Sequence, residues 1–403
     1  MLRTFALCLI LSLTASAEAI DYEIREAGRI AVPKPAFQSL LESEGNSLVV
    51  SSFGLTGKDH VYRIANPWAA AQGGTPRIET ITDAIIWPNE VRLLGPEALG
   101  QEGWLISSGF LFPPKSTGAI SYLDLGGKLS QLTLPKTGWF YHRAVVADVT
   151  GTGRMDIITA RGTIPPIGAA DGELVWLQRP PNPLDSTWNE VVLAKGPDIH
   201  FRVVRNPADG ALVIIAAEFS GKKISIHWLE GSQARSRVID NTLGSAFDLD
   251  TFDLNGDGRL DLLATNHENQ EEKSAVLAYT MPDNLKTGAW RRYVLFSGIK
   301  TTQPGIQQAS PGAAKAFFPN TSDTSGKPWI VVSGDGSQRA YLLRPLSESA
   351  TNWDYESRVI LDAGATTGEP IAHDFDGDGL ADFAIPAYDK DTIHLLSLKT
   401  KAR

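Results

Sequence analysis

The stretch that decides the fold is DLNGDGRLDLLATN, residues 253–266, in which an acidic, glycine-rich loop runs directly into a short apolar strand. Its last six residues, DLLATN, recur in kind. Similar strands start at Leu48 (LVVSSF), Trp104 (WLISSG), Asp156 (DIITAR), Val213 (VIIAAE), Asp261, Trp329 (WIVVSG) and Asp382 (DFAIPA), at spacings of 56, 52, 57, 48, 68 and 53 residues. A near-constant period of this size marks an architecture built from stacked supersecondary units.

A second β-rich run follows each copy after a turn, such as KISIHWL at 223 or RAYLLRP at 339. Several units then show a third, led by Trp188, Trp290 or Trp353, and a strand precedes each copy, as in HRAVVAD from His142. β-Branched and aromatic residues bounded by Gly, Pro, Asp and Ser make these strands. The reading is an all-β chain, a seven-bladed β-propeller of four-stranded antiparallel blades, since seven separate sandwiches of about 55 residues would each bury too little apolar surface to stand alone. The last unit runs out of chain after TIHLLSL, whereas YEIREAGRIAV from Tyr22 has strand character and no unit of its own. Ring closure by this N-terminal strand is therefore expected.

Ahead of the strands the chain opens with Arg3, an apolar run from Phe5 to Leu13 and small residues, which reads as a secretory signal peptide at 1–19 before a propeller at 20–403. The expected location is secreted and extracellular, or periplasmic if the source is bacterial. The single cysteine, Cys8, falls inside the signal, so no disulfide or thiolate chemistry is expected afterwards. A net charge of −9 argues against a nucleic-acid backbone as partner. No later run reaches the roughly 18 apolar residues of a membrane span. The expected partner is an extracellular carbohydrate or protein ligand, and the expected state a monomer.

Three units carry one register of oxygen donors: DVTGTGRMD from Asp148, DLNGDGRLD from Asp253 and DFDGDGLAD from Asp374. Side-chain oxygens at loop positions 1, 3, 5 and 9 with the carbonyl at 7 can surround one calcium ion. These are Asp253, Asn255, Asp257 and Asp261 with the Arg259 carbonyl, and Asp374, Asp376, Asp378 and Asp382 with the Leu380 carbonyl. The first loop has Thr150 and Thr152 in place of carboxylates, leaving only Asp148 and Asp156 as weak ligands.

In these loops and their period the chain resembles the FG-GAP/VCBS repeat family, which includes the N-terminal propellers of integrin α subunits. The resemblance implies calcium (Ca2+) held in the first hairpin of a blade, in a structural role. A catalytic role is not expected of it, because protein fills the ligand set.

The residues at the start of each innermost strand gather at the opposite mouth of a propeller. Counting back from the aligned loops places Asn89, His142, His200 and Phe247 there, with Arg143, Asp248 and Glu369 close by and Trp87 and Tyr141 adding aromatic surface. Imidazole, carboxylate, guanidinium and aromatic faces suit a sugar or peptide, or could hold a metal or a general base. His60, His227, His267, His373 and His394 show no partner pattern and read as structural or exposed, and the Trp-led strands as packing. No G-x-S-x-G elbow, H-E-x-x-H, P-loop or dinucleotide G-x-G-x-x-G occurs. The first expectation is a calcium-stabilised binding module rather than an enzyme. The alternative is a secreted carbohydrate-active enzyme of the sugar dehydratase or polysaccharide lyase type, its site at the mouth with His142 and His200 as base and acid or as metal ligands.

Overall fold

A computed structural model describes residues 22–110, 114–164, 169–302 and 308–401. The signal segment at 1–19 lies outside them. Seven four-stranded antiparallel sheets follow one another along the chain. Their innermost strands are Pro35–Leu41, Pro88–Leu94, Phe140–Ala147, Phe201–Arg205, Ala246–Phe252, Ala314–Phe317 and Ile371–His373, in blades 1 to 7. The repeated apolar strand is the second of each blade, as in Asp261–Asn266 and Asp382–Ala387.

The reason those strands read as unbroken apolar runs is that both of their faces are covered. Leu262 and Ala264 pack with Val213, Ile215, Ile224 and Ile226 of blade 4. Leu263, between them, packs with Ile330, Val332 and Leu343 of blade 6. Successive side chains point to opposite faces of a strand, so a blade wedged between two neighbours needs apolar residues at every position. The Trp-led outer strands also serve packing: Trp188 is buried against Leu132, Ala98 and Leu99, and Trp353 stacks on Tyr293 with ring centroids 4.4 Å apart.

The ring closes as the sequence leads one to expect. Tyr22–Ala31 pairs antiparallel with Thr392–Thr400 from Tyr22↔Thr400 to Ala31↔Thr392 and becomes the outer strand of blade 7. The register slips at Glu26/Gly28. A Cβ on Gly28 would meet the backbone of Ala70 and Ala71 at 2.8 Å, in the turn Pro67–Gln72 of blade 1. Only a residue without a side chain lets the closing strand lie against its neighbour there. Gly28→Val should therefore lower stability by about 1–3 kcal/mol, as overpacking does, read as a fall in melting temperature.

Candidate functional site

Because inner-strand side chains alternate, every second residue faces the central channel. This places Glu90 and Arg92, His200 and Arg202, Asp248 and Asp250, each pair two residues apart, on its wall together with Lys315 and Glu369. The wall encloses a cavity of about 1250 Å³.

These groups form a belt that crosses each blade boundary. Arg143 Nη2 lies 3.0 Å from Glu90 Oε1 and its Nη1 lies against His200 Nε2. The Leu249 amide donates to His200 Nδ1 at 3.1 Å, and Arg202 pairs with Asp250 at 3.0 Å. Lys315 then reaches Asp248 at 3.4 Å and Glu369 at 2.9 Å. Gln38 Nε2 donates to the carbonyls of Glu369 and Ala384, and Ser51 Oγ to the carbonyl of Asn89, which completes the circuit.

The candidate mouth residues thus divide by role. Asn89 is buried and donates to the carbonyls of Gly109 and Tyr141, a brace between blades 2 and 3. Arg143, His200, Asp248 and Glu369 belong to the belt. His200 is held neutral by burial and by Arg143 beside it, so its 3.2 Å approach to Asp248 is not an ion pair. Burial would raise Glu90, but Arg143 and Arg92 outweigh it and hold the carboxyl down to about 2. Burial also works against the Lys315 ammonium, and Asp248 and Glu369 overcome it.

His142 differs from the rest. Its ring packs edge-on to Phe37, at 5.2 Å and 80°, and makes no hydrogen bond among the described residues. Burial pushes it down to about 4, with Glu90 and Glu369 pulling upward and Arg143 downward. At neutral pH it is an unengaged neutral imidazole facing the cavity.

Above it lies an upper chamber of about 220 Å³, walled mainly by rings. Trp87 is stacked between Phe53 (4.3 Å) and Phe110 (3.8 Å) on one side, and Phe247 on His267 (4.7 Å) on the other. Trp87 has φ +48°, a left-handed conformation costly for a bulky residue. The buried Asp59 carboxylate holds it, accepting the Trp87 amide at 2.7 Å while paired with Lys115. The sequence reading missed Lys315, Glu90, Arg92, Arg202 and Asp250, although for the last four the i, i+2 spacing in NEVR, HFR and FDLD was a usable signal. It also missed His267, which lines the upper chamber.

The acidic loops lie at the other end of the blades, in the hairpins between first and second strands. In the second, Asp253 accepts the amides of Gly256, Asp257 and Gly258, Asp257 accepts that of Arg259, and Asp261 that of Leu254. In the third, Asp374 accepts the amides of Gly377 and Gly379, and Lys399 Nζ bonds both Asp376 and Asp378. Oxygens of Asp374, Asp376 and Asp382 lie within 4.8 Å of one another. In the first loop Asp148 accepts the amides of Thr152 and Gly153, while Asp156 is engaged by Trp176 and the Arg179 amide. The loops' own amides and, in the third, Lys399 offset part of this negative charge, yet burial and the neighbouring carboxylates still push Asp261 and Asp382 up to about 7.

No family model and no curated protein matches the chain. Among solved structures it is similar to the soluble aldose sugar dehydrogenase of Escherichia coli in its apo form, at 13% identity and a TM-score of 0.43 over 81% of this chain and 99% of that one. It is also similar to a glucose dehydrogenase-type oxidoreductase of Thermus thermophilus, at 15% identity and a TM-score of 0.43 over 80% and 99%. Both are described as enzymes, so the expectations of a binding module and of a chain more often not an enzyme are corrected, and the expectation of structural calcium is not carried forward. At that TM-score the likeness carries nothing about reaction, substrate or cofactor. Among the described residues, no helix is long and apolar enough to cross a membrane.

Two outcomes follow from the belt. Lys315→Met leaves Asp248 and Glu369 without their shared cation and should cost about 3–5 kcal/mol in chemical denaturation. Glu90, lowered from 4.5 to about 2, contributes stability above pH 4.5 that is lost as pH falls towards about 2. Glu90→Gln should therefore unfold more easily at pH 7 and show a flatter acid-unfolding profile across that window.

Proposed function

We propose that the chain is a secreted carbohydrate-active enzyme, its blades of the FG-GAP/VCBS kind over 20–403 behind a signal peptide at 1–19, with chemistry at the mouth of the channel. The observation that carries this is His142, a neutral imidazole without a hydrogen-bond partner among the described residues, lining both the large cavity and the ring-walled chamber above it. A histidine kept neutral and free in a cleft is suited to accepting a proton. The surroundings support a sugar as the molecule that supplies it. Aromatic rings complement the apolar faces of a pyranose, and the charged belt below complements its hydroxyl edge.

The reaction class is elimination, as in a dehydratase or a lyase. His142 Nδ1 or Nε2 takes a proton from a ring carbon next to a carbonyl or carboxylate. The electron pair forms a carbon–carbon double bond, and the bond to the neighbouring oxygen breaks. Lys315, charged and facing the same cavity, is suited to stabilising the oxygen on which negative charge gathers.

The test is turnover of a panel containing a neutral glucan, a polyuronate and monomeric sugar acids, followed by the ultraviolet absorbance of unsaturated sugars. Activity should rise as pH increases through about 4, where the His142 ring loses its proton. His142→Gln should lower kcat on the order of 10²- to 10⁴-fold with little change in KM. A wild-type chain without turnover on the whole panel overturns the reading.

A further inference from the structure

The seven-fold repeat supplies an internal control for each position at the mouth. The residue that leaves the second strand of each blade, one or two places beyond its end, is Phe53, Phe110, Ile164, Phe219, His267, Asp335 and Tyr388 in blades 1 to 7. Five blades place Phe, Tyr or Ile there. Blades 5 and 6 alone depart from the pattern, they are neighbours, and their two residues are bonded to each other: His267 Nε2 lies 3.0 Å from Asp335 Oδ2.

Both side chains line the upper chamber with His142. His267 is buried to 8% exposure, its ring stacked on Phe247 at 4.7 Å and 18° and tilted against Phe219 at 5.9 Å, so its plane is set by packing. Asp335 has φ +48°, and its amide is held by Thr367 Oγ1 at 3.0 Å from blade 7, which itself donates to the Arg339 carbonyl. Asp335 opens the tight turn Asp335–Ser337, where an aspartate accepts the left-handed conformation, and the Thr367 bond fixes it from behind. The carboxylate takes the Nε2 proton as its acceptor. Nδ1 then has no partner among the described residues and is not among the sealed polar atoms.

We propose that His267 is a second proton-transfer group of the mouth and Asp335 its positioning residue, an inference that rests on the enzyme reading above. Asp335 keeps the proton on Nε2 in either charge state, so Nδ1 is the atom that exchanges. In the elimination, His142 accepts the proton of the carbon–hydrogen bond. The electron pair of the breaking carbon–oxygen bond stays on the leaving oxygen, and the protonated His267 ring gives its Nδ1 proton to that oxygen. One proton is gained and one lost by the protein, and no oxidant or further reactant is required.

Two measurements on the full chain decide it. With ¹⁵N-histidine labelling, the neutral His267 ring should carry its proton on Nε2, and Asp335→Asn should mix the tautomers. On the saccharide panel, His267→Gln should lower kcat on the order of 10²-fold with KM nearly unchanged, and Asp335→Asn by less, with both variants keeping the wild-type melting temperature to within a few degrees. A neutral ring protonated on Nδ1 overturns the dyad whatever the activity. So does a His267→Gln variant with wild-type kcat. Failure of the enzyme reading looks different: the wild type itself is then inactive, and the proposal falls with it.

Discussion

The structure depends on the closing of a ring by a strand from the far end of the chain. Tyr22–Ala31 pairs along Thr392–Thr400, and without it blade 7 would present that strand as an unpaired edge. The outer strand of each blade keeps one free edge, Tyr22–Ala31 included, so what closure supplies is the bond between the first segment of the chain and its last blade. Closure also fixes what happens at the centre. Seven inner strands must converge on one axis, so the side chains on their channel-facing positions are forced into contact whatever their chemistry.

In this chain those side chains are largely charged, and their arrangement follows from the crowding. A buried charge without a partner is costly, so each cation is set between carboxylates or beside a neutral imidazole. Arg143 lies between Glu90 and His200, and Lys315 between Asp248 and Glu369. The belt therefore does two things at once. It ties each blade to the next at the axis, where apolar packing is thinnest, and it holds His200 neutral and the Glu90 carboxylate ionised. His142 sits at the edge of this field without being consumed by it. The two histidines, aligned in the sequence, differ in register and partners: His142 falls in the bulge between Tyr141 and Arg143 and meets the edge of Phe37 with no hydrogen bond to its ring among the described residues, whereas His200 is spanned by Arg143 and the Leu249 amide.

The blades were legible because burial on both faces leaves an unmistakable trace, as in DLLATN, where Leu262 and Leu263 serve different neighbours. The closing strand was legible from simple shortage of chain. The mouth was half legible. Counting back from the repeat found His142, His200 and Asn89, but sequence spacing does not distinguish a brace such as Asn89 from a free group such as His142. The acidic loops misled for a physical reason. DLNGDGRLD gathers oxygens whether or not an ion is present, because the same glycines that would turn donors inward also turn amides toward them, as the bonds of Asp253 to Gly256 and Gly258 show. Lys399, the counter-charge in the third loop, comes from the third strand of blade 7, and nothing local to the loop announced it.

Backbone strain at the mouth links the fold to its chemistry. Among the described non-glycine residues with positive φ, most lie in turns with small or flexible side chains, such as Asn46, Asn66 and Lys222. Trp87 does not fit that group, and Asp335, which opens the turn Asp335–Ser337, shares the upper chamber with it, one within the ring stack and one beside His267. Each is held from behind by a side chain of a neighbouring blade or hairpin, Asp59 for Trp87 and Thr367 for Asp335. A left-handed conformation costs on the order of 1–3 kcal/mol for a bulky residue such as Trp87 and less for an aspartate in a turn. Relaxing either would move a ring or a carboxylate out of the chamber, so the stability given up at these two points is what sets the geometry facing His142.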